Sequence, residues 1–118
     1  MKQNIIYDKS FEFSLNIIEL YKVLLENKEY IISKQLLRSA TSIGANIVES
    51  TAAQSKKDFI SKLLSISSKE ARETKYWLLL LDKSKLVKDI NYLPYINDID
   101  EIIKILTSII KTSQENIK

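Results

Sequence analysis

Residues 35–49 read Gln35-Leu36-Leu37-Arg38-Ser39-Ala40-Thr41-Ser42-Ile43-Gly44-Ala45-Asn46-Ile47-Val48-Glu49. The apolar positions are spaced for a helix and do not alternate as in a strand. From Arg38 to Ile47 the side chains are unusually small. Gly44 stands in the helix interior, where glycine costs about 1 kcal/mol relative to alanine. Close approach of a neighbouring helix backbone offsets that cost, so the segment predicts a tight helix crossing. The other use of so small-sided a face is a ligand groove. Ser33 is placed to cap this helix, predicted over about Ser33 to Thr51.

Three further helices follow on either side. One is predicted over about Asp8 to Asn27, with Asp8 or Ser10 accepting N-terminal N–H bonds. Its apolar residues, among them Phe11, Phe13, Leu15, Ile17, Ile18 and Leu20, cover an arc of about 220°. One neighbouring core needs about half of that, so the excess faces other helices or another subunit. The next helix is predicted over about Lys56 to Lys83, opened by a capping box of Ser55 and Asp58. On it Phe59, Leu63, Ile66, Glu70, Trp77 and Leu81 are placed along one face. The last is predicted over about Tyr92 to Gln114, with Asn91 as cap and Pro94 tolerated in the first turn. Its isoleucine-rich face must be held by burial more than by propensity.

The 118 residues include one glycine and one proline, too few for the tight turns of a sandwich or barrel. The expectation is an all-α chain, an antiparallel up-down-up-down four-helix bundle forming one domain over residues 1–118 and assembling as a homo-oligomer. With no cysteine and no histidine, disulfides, thiolate sites and imidazole chemistry are excluded. A carboxylate-bridged di-metal bundle needs Glu-x-x-His pairs and is excluded with them. No glycine-rich phosphate loop exists, and no apolar run approaches the roughly 20 residues of a membrane span. The first ten residues lack the apolar core of a signal peptide. A cytoplasmic protein without metal or cofactor is expected.

Two groups of polar residues invite a functional reading. Glu70 is placed near the centre of the apolar arc of the third helix, with Glu73 at its edge. A buried carboxylate needs a partner, and Arg38, one of only two arginines, is the cation best suited to it. Such a trio is a buried polar network fixing helix register or subunit contact, or a general acid/base pair; no nucleophile accompanies it. The second group is basic. From Thr51 to Lys85 there are eight basic and four acidic residues, against two and four from Asp8 to Asn27. Lys62, Lys69 and Arg72 share a face, flanked by Lys56, Lys57 and Lys75. Their use is phosphate contact with RNA or DNA, or a solvated helix flank.

Several of these stretches, taken together, resemble one family. Residues 35–49 look like the second-helix signature of the four-helix-bundle proteins of the 23S rRNA-intervening-sequence family. Ser55-Lys56-Lys57-Asp58-Phe59-Ile60 and Lys69-Glu70-Ala71-Arg72-Glu73-Thr74 with Tyr76-Trp77-Leu78 resemble its third-helix signature. The resemblance implies a small antiparallel bundle assembled as a homopentamer. A related branch serves as accessory protein to reverse transcriptases of diversity-generating retroelements. The residues expected to build the network or subunit interface are Arg38, Ser42, Gly44, Asn46, Glu49, Glu70 and Glu73. The function expected is a non-enzymatic scaffold that binds nucleic acid through the third helix. The alternative is a protein-interaction adaptor, for example to a reverse transcriptase, without direct nucleic-acid contact.

Overall fold

In the computed structural model of the chain, the backbone is described for residues 2–52 and 57–117, and side chains for 5–52 and 57–112. The order is α1 (Lys2–Glu26), α2 (Ile32–Ala52), α3 (Lys57–Ser84) and α4 (Leu93–Ile117). No strand occurs among the described residues. α1 packs on α2 and α4, and α3 packs on the same two helices, so the four form a closed ring around one core. The bundle measures 48 × 21 × 21 Å, with its long dimension set by helices of 21 to 28 residues.

α1 starts earlier than the capping pattern suggests. No glycine or proline lies between Lys2 and Asp8, and Ile6 is fully buried, so core burial extends the helix through the polar residues. Ser10 is an interior residue whose hydroxyl donates to the Tyr7 carbonyl at 2.9 Å. Phe13, Ile17, Leu20 and Leu24 turn inward. The rest of the wide apolar arc stays outside: Tyr7, Phe11, Leu15 and Ile18 are exposed, Phe11 at 55%. The Tyr7 and Phe11 rings stack with centroids 6.3 Å apart.

The turn between α1 and α2 is closed from both sides. The N–H of Glu29 donates to the Leu24 carbonyl and that of Lys28 to the Leu25 carbonyl, both at 2.9 Å. This is the Schellman arrangement, and Lys28 takes the left-handed position with φ 64°. Ser33 was the expected N-cap of α2, but Glu29 does that work. Its carboxylate accepts from the N–H groups of Ile31, Ile32 and Ser33 at 3.2, 2.9 and 2.6 Å. Ser33 instead donates its hydroxyl to the Glu29 carbonyl at 2.6 Å. A longer acid placed four residues upstream reaches the same free N–H groups that a serine cap would serve.

The core face of α3 keeps Leu63 and Leu81 of the one its large apolar residues predict but is otherwise rotated from it. Leu64, Ser67, Ala71, Thr74, Leu78 and Leu81 are buried, at alternating spacings of three and four. Phe59 is exposed and Ile66, Glu70 and Trp77 are only partly buried along the flank. The small residues Ser67, Ala71 and Thr74 face the small side of α2, so the two helices approach through small residues and the large ones are displaced sideways. Ser55 and Lys56, proposed at the start of this helix, lie outside the described residues. α4 begins as expected: the Leu93 N–H donates to Asn91 Oδ1 at 3.1 Å. Ile99, Ile102, Leu106 and Ile109 fill its side of the core.

Candidate functional site

The small stretch of α2 makes two crossings. Towards α1, a β-carbon placed on Gly44 would sit 3.4 Å from the Ser10 hydroxyl oxygen and 4.0 Å from the Ser10 carbonyl carbon. Towards α3, the Ser67 hydroxyl donates to the Ile43 carbonyl at 3.0 Å, and the Thr74 and Ser39 hydroxyls meet at 2.9 Å. Ser39, Ser67 and Thr74 are all fully buried. Hydroxyls satisfied across a helix pair lock its register, because sliding one helix strands a buried polar group.

At the rim of this seam Arg38 meets both carboxylates. Its Nη1 donates to Glu70 Oε2 at 3.3 Å, and its Nη2 donates to Glu73 Oε2. The same Glu73 oxygen accepts from the Trp77 indole N–H at 3.0 Å. Gln35 adds a longer contact to Arg38 Nε at 3.4 Å. The three charged residues are therefore brought together, but not in the interior. The Arg38 side chain is 49% exposed and Glu70 22%, which corrects the expectation that Glu70 lies mid-face. Size again explains the shift: Ala71 and Thr74 take the inward positions and rotate Glu70 and Glu73 to the edge. A guanidinium clamping two carboxylates from the neighbouring helix ties α2 to α3.

The other residues expected in this group serve α2 itself. Ser42 donates to the Arg38 carbonyl and Asn46 to the Ser42 carbonyl, each at 2.8 Å. Glu49 is exposed, with no ion-pair partner among the described residues. Among the described residues no group of three or more His, Cys, Asp and Glu side chains could hold a metal ion.

The basic residues divide. Lys57, Lys62, Lys69 and Arg72 are exposed and make no ion pair among the described residues. Lys75 is committed elsewhere, 2.7 Å from Asp100 across the α3–α4 seam. Lys56 lies outside the described residues. Sequence reasoning missed one neighbour of this row: Lys111 of α4, which joins Arg72 in lining a groove. Nothing in the linear spacing links residues so far apart in the chain.

Titration is perturbed at the far end of the bundle. Burial tends to raise the Glu29 pKa. The N–H groups of Ile32 and Ser33, the Ser33 side chain and the Ile31 N–H outweigh it and hold the carboxyl below the usual value. Burial, then the charges of Asp82 and Glu29 and the neighbouring Tyr95, raise that of Tyr92, whose buried hydroxyl has no hydrogen-bond partner among the described residues.

The small-on-small crossing of α2 and α3, with its arginine clamp, is the geometry against which relatives can be set. The family described as 23S rRNA-intervening sequence protein matches residues 2–108. The chain belongs to that family. Among solved structures it is similar to a protein of unknown function from the S23 ribosomal protein family of Bacteroides thetaiotaomicron. The two share 50% identity and a TM-score of 0.87, over 94% of this chain and 99% of the other. No curated protein matches. The family match takes in the quoted second- and third-helix stretches, and also most of α4.

Proposed function

We propose that the protein is a non-enzymatic, cytoplasmic, homo-oligomeric scaffold whose outward α3 face takes the backbone of a nucleic acid. The observation that carries the assembly is the outer stripe of α1. Tyr7, Phe11, Leu15 and Ile18 form a continuous exposed apolar row on a helix already packed on its other side. The links between helices are short, which favours antiparallel neighbours and an up-down-up-down course. A pentamer is the assembly that the family resemblance implies. The unpaired cations Lys57, Lys62, Lys69 and Arg72 support phosphate contact, and symmetric repetition multiplies their field.

Light scattering at micromolar concentration tests the assembly. A mass several times 13.7 kDa is expected, five times for the pentamer, and a mass of 13.7 kDa overturns it. Phe11→Asp should shift the protein towards monomer while leaving its helical content unchanged. Binding of a short labelled RNA tests the basic face. The expected signature is a linear fall of log affinity with log salt; a salt-independent affinity, or none at low salt, rejects phosphate contact.

A further inference from the structure

The α3–α4 seam changes character along its length. At one level Lys75 and Asp100 close it with an ion pair at 2.7 Å. Beyond that level each wall of the seam carries a cation, Arg72 on α3 and Lys111 on α4. A groove of about 310 Å³ opens there, lined by Ser65, Ser68 and Arg72 of α3 and by Thr107, Ile110 and Lys111 of α4. Arg72 and Lys111 are exposed and neither has an ion-pair partner among the described residues. The Ser65 and Ser68 hydroxyls have no hydrogen-bond partner there either, whereas those of Ser67 and Ser84 on the same helix do. The Thr107 hydroxyl is engaged, donating to the Ile103 carbonyl at 2.8 Å.

Two like charges on opposite walls of one groove repel, and the arrangement becomes favourable when an anion sits between them. The donors suit a tetrahedral oxyanion: a planar guanidinium fork, a mobile ammonium and two hydroxyls. Lys69 lies three residues before Arg72, so the groove opens onto the outward basic row. We propose that the α3–α4 groove is a phosphate seat. Arg72 and Lys111 grip one phosphodiester group of a nucleic-acid strand from opposite sides, and Ser65 and Ser68 donate to its oxygens. The assignment rests on the nucleic-acid reading of α3 for its source of phosphate, and it adds a second wall, on α4, to that surface.

The test compares wild type with Arg72→Ala, Lys111→Ala, the double variant, and a Lys62→Ala/Lys69→Ala variant. Lys22→Ala serves as control, since Lys22 pairs with Glu19 at 3.0 Å on α1. All five positions are exposed, and thermal melts verify that each variant folds. Anisotropy of a short labelled single-stranded RNA is read across a salt series. Melts are also run with inorganic phosphate against chloride at matched ionic strength. Arg72→Ala and Lys111→Ala should each weaken RNA binding about three- to tenfold. Each should also reduce the salt slope by about 0.7, with the control unchanged. If the Lys62/Lys69 variant weakens binding while Arg72→Ala and Lys111→Ala stay within twofold, the seat is overturned and the α3 reading stands. If RNA does not bind but inorganic phosphate raises the melting temperature through Arg72 and Lys111, the ligand is a free phosphate. That result overturns both the phosphodiester assignment and the nucleic-acid reading. If neither ligand acts through these residues, the seat is overturned outright.

Discussion

Where α2 meets α3, buried hydroxyls of Ser39, Ser67 and Thr74 are satisfied across the seam and Arg38 clamps Glu70 and Glu73 at its rim. The outer side of α1 is the reverse: Tyr7, Phe11, Leu15 and Ile18 face solvent with none of the described residues covering them. The first region specifies one register, since a shift leaves buried polar groups without partners. The second is non-directional and specifies only that something apolar should cover it. On the proposed assembly, the first region sets the fold of one chain and the second supplies the surface that a further copy covers.

The largest expected effect sets these regions against each other directly. Leu78 is fully buried on the α3 core face, and Leu78→Ala should cost about 2–5 kcal/mol at any protein concentration. Leu15 is 45% exposed, and Leu15→Ala should cost under about 0.5 kcal/mol in an isolated chain. In an oligomer its cost should be larger and should depend on protein concentration. Denaturant melts at two concentrations read the difference; a concentration-independent cost near that of Leu78→Ala would remove the distinction between core and outer face.

The joint between the regions is Glu29, and its effect should be intermediate. Its folded carboxyl titrates below the unfolded value of about 4.5, so its stabilisation is present above that pH. It is lost as pH falls through the lower folded value. Glu29→Gln should lower stability by about 1–2 kcal/mol at neutral pH, with the gap to wild type closing as pH falls through the lowered folded value. A gap that persists at low pH would mean that the loss is one of packing.

Of the polar contacts, the arginine clamp should show the smallest effect. Partial exposure screens the network, so Glu70→Ala should cost about 0.5–1.5 kcal/mol, below the roughly 3–5 kcal/mol of a fully desolvated pair. The Arg38→Ala/Glu70→Ala double variant should cost less than the two single changes together. Additive costs would show that the contact contributes nothing to holding α2 on α3, and would reopen an acid/base role for the carboxylates.

Four helices were legible because periodicity and the scarcity of glycine and proline leave few alternatives. The partnership of Arg38 with Glu70 and Glu73 was legible because a chain with two arginines offers few suitable cations. The face of α3 was not, because large apolar residues dominate a periodicity argument. Here the contact is made by Ser67, Ala71 and Thr74, whose burial follows from the matching small side of α2. The start of α1 was hidden by Asp8 and Ser10, which look like caps in sequence but are carried into the helix by the burial of Ile6. The Glu29 cap was hidden because glutamate reaches N–H groups two to four residues ahead, outside the usual capping pattern. Lys111 belongs with Arg72 only once α3 and α4 are side by side.

The single tryptophan of the chain has a use that follows from its placement. Trp77 lends its indole N–H to Glu73 and meets the Tyr76 ring edge-on, with centroids 5.1 Å apart. Its fluorescence is therefore an optical probe of the clamped seam alone. Circular dichroism averages over all four helices. Detachment of α1 would be visible as lost ellipticity while the emission wavelength stays fixed, and loosening of the clamp would move the emission before the ellipticity falls. Without any added label, the protein reports which of its two unlike regions gives way first.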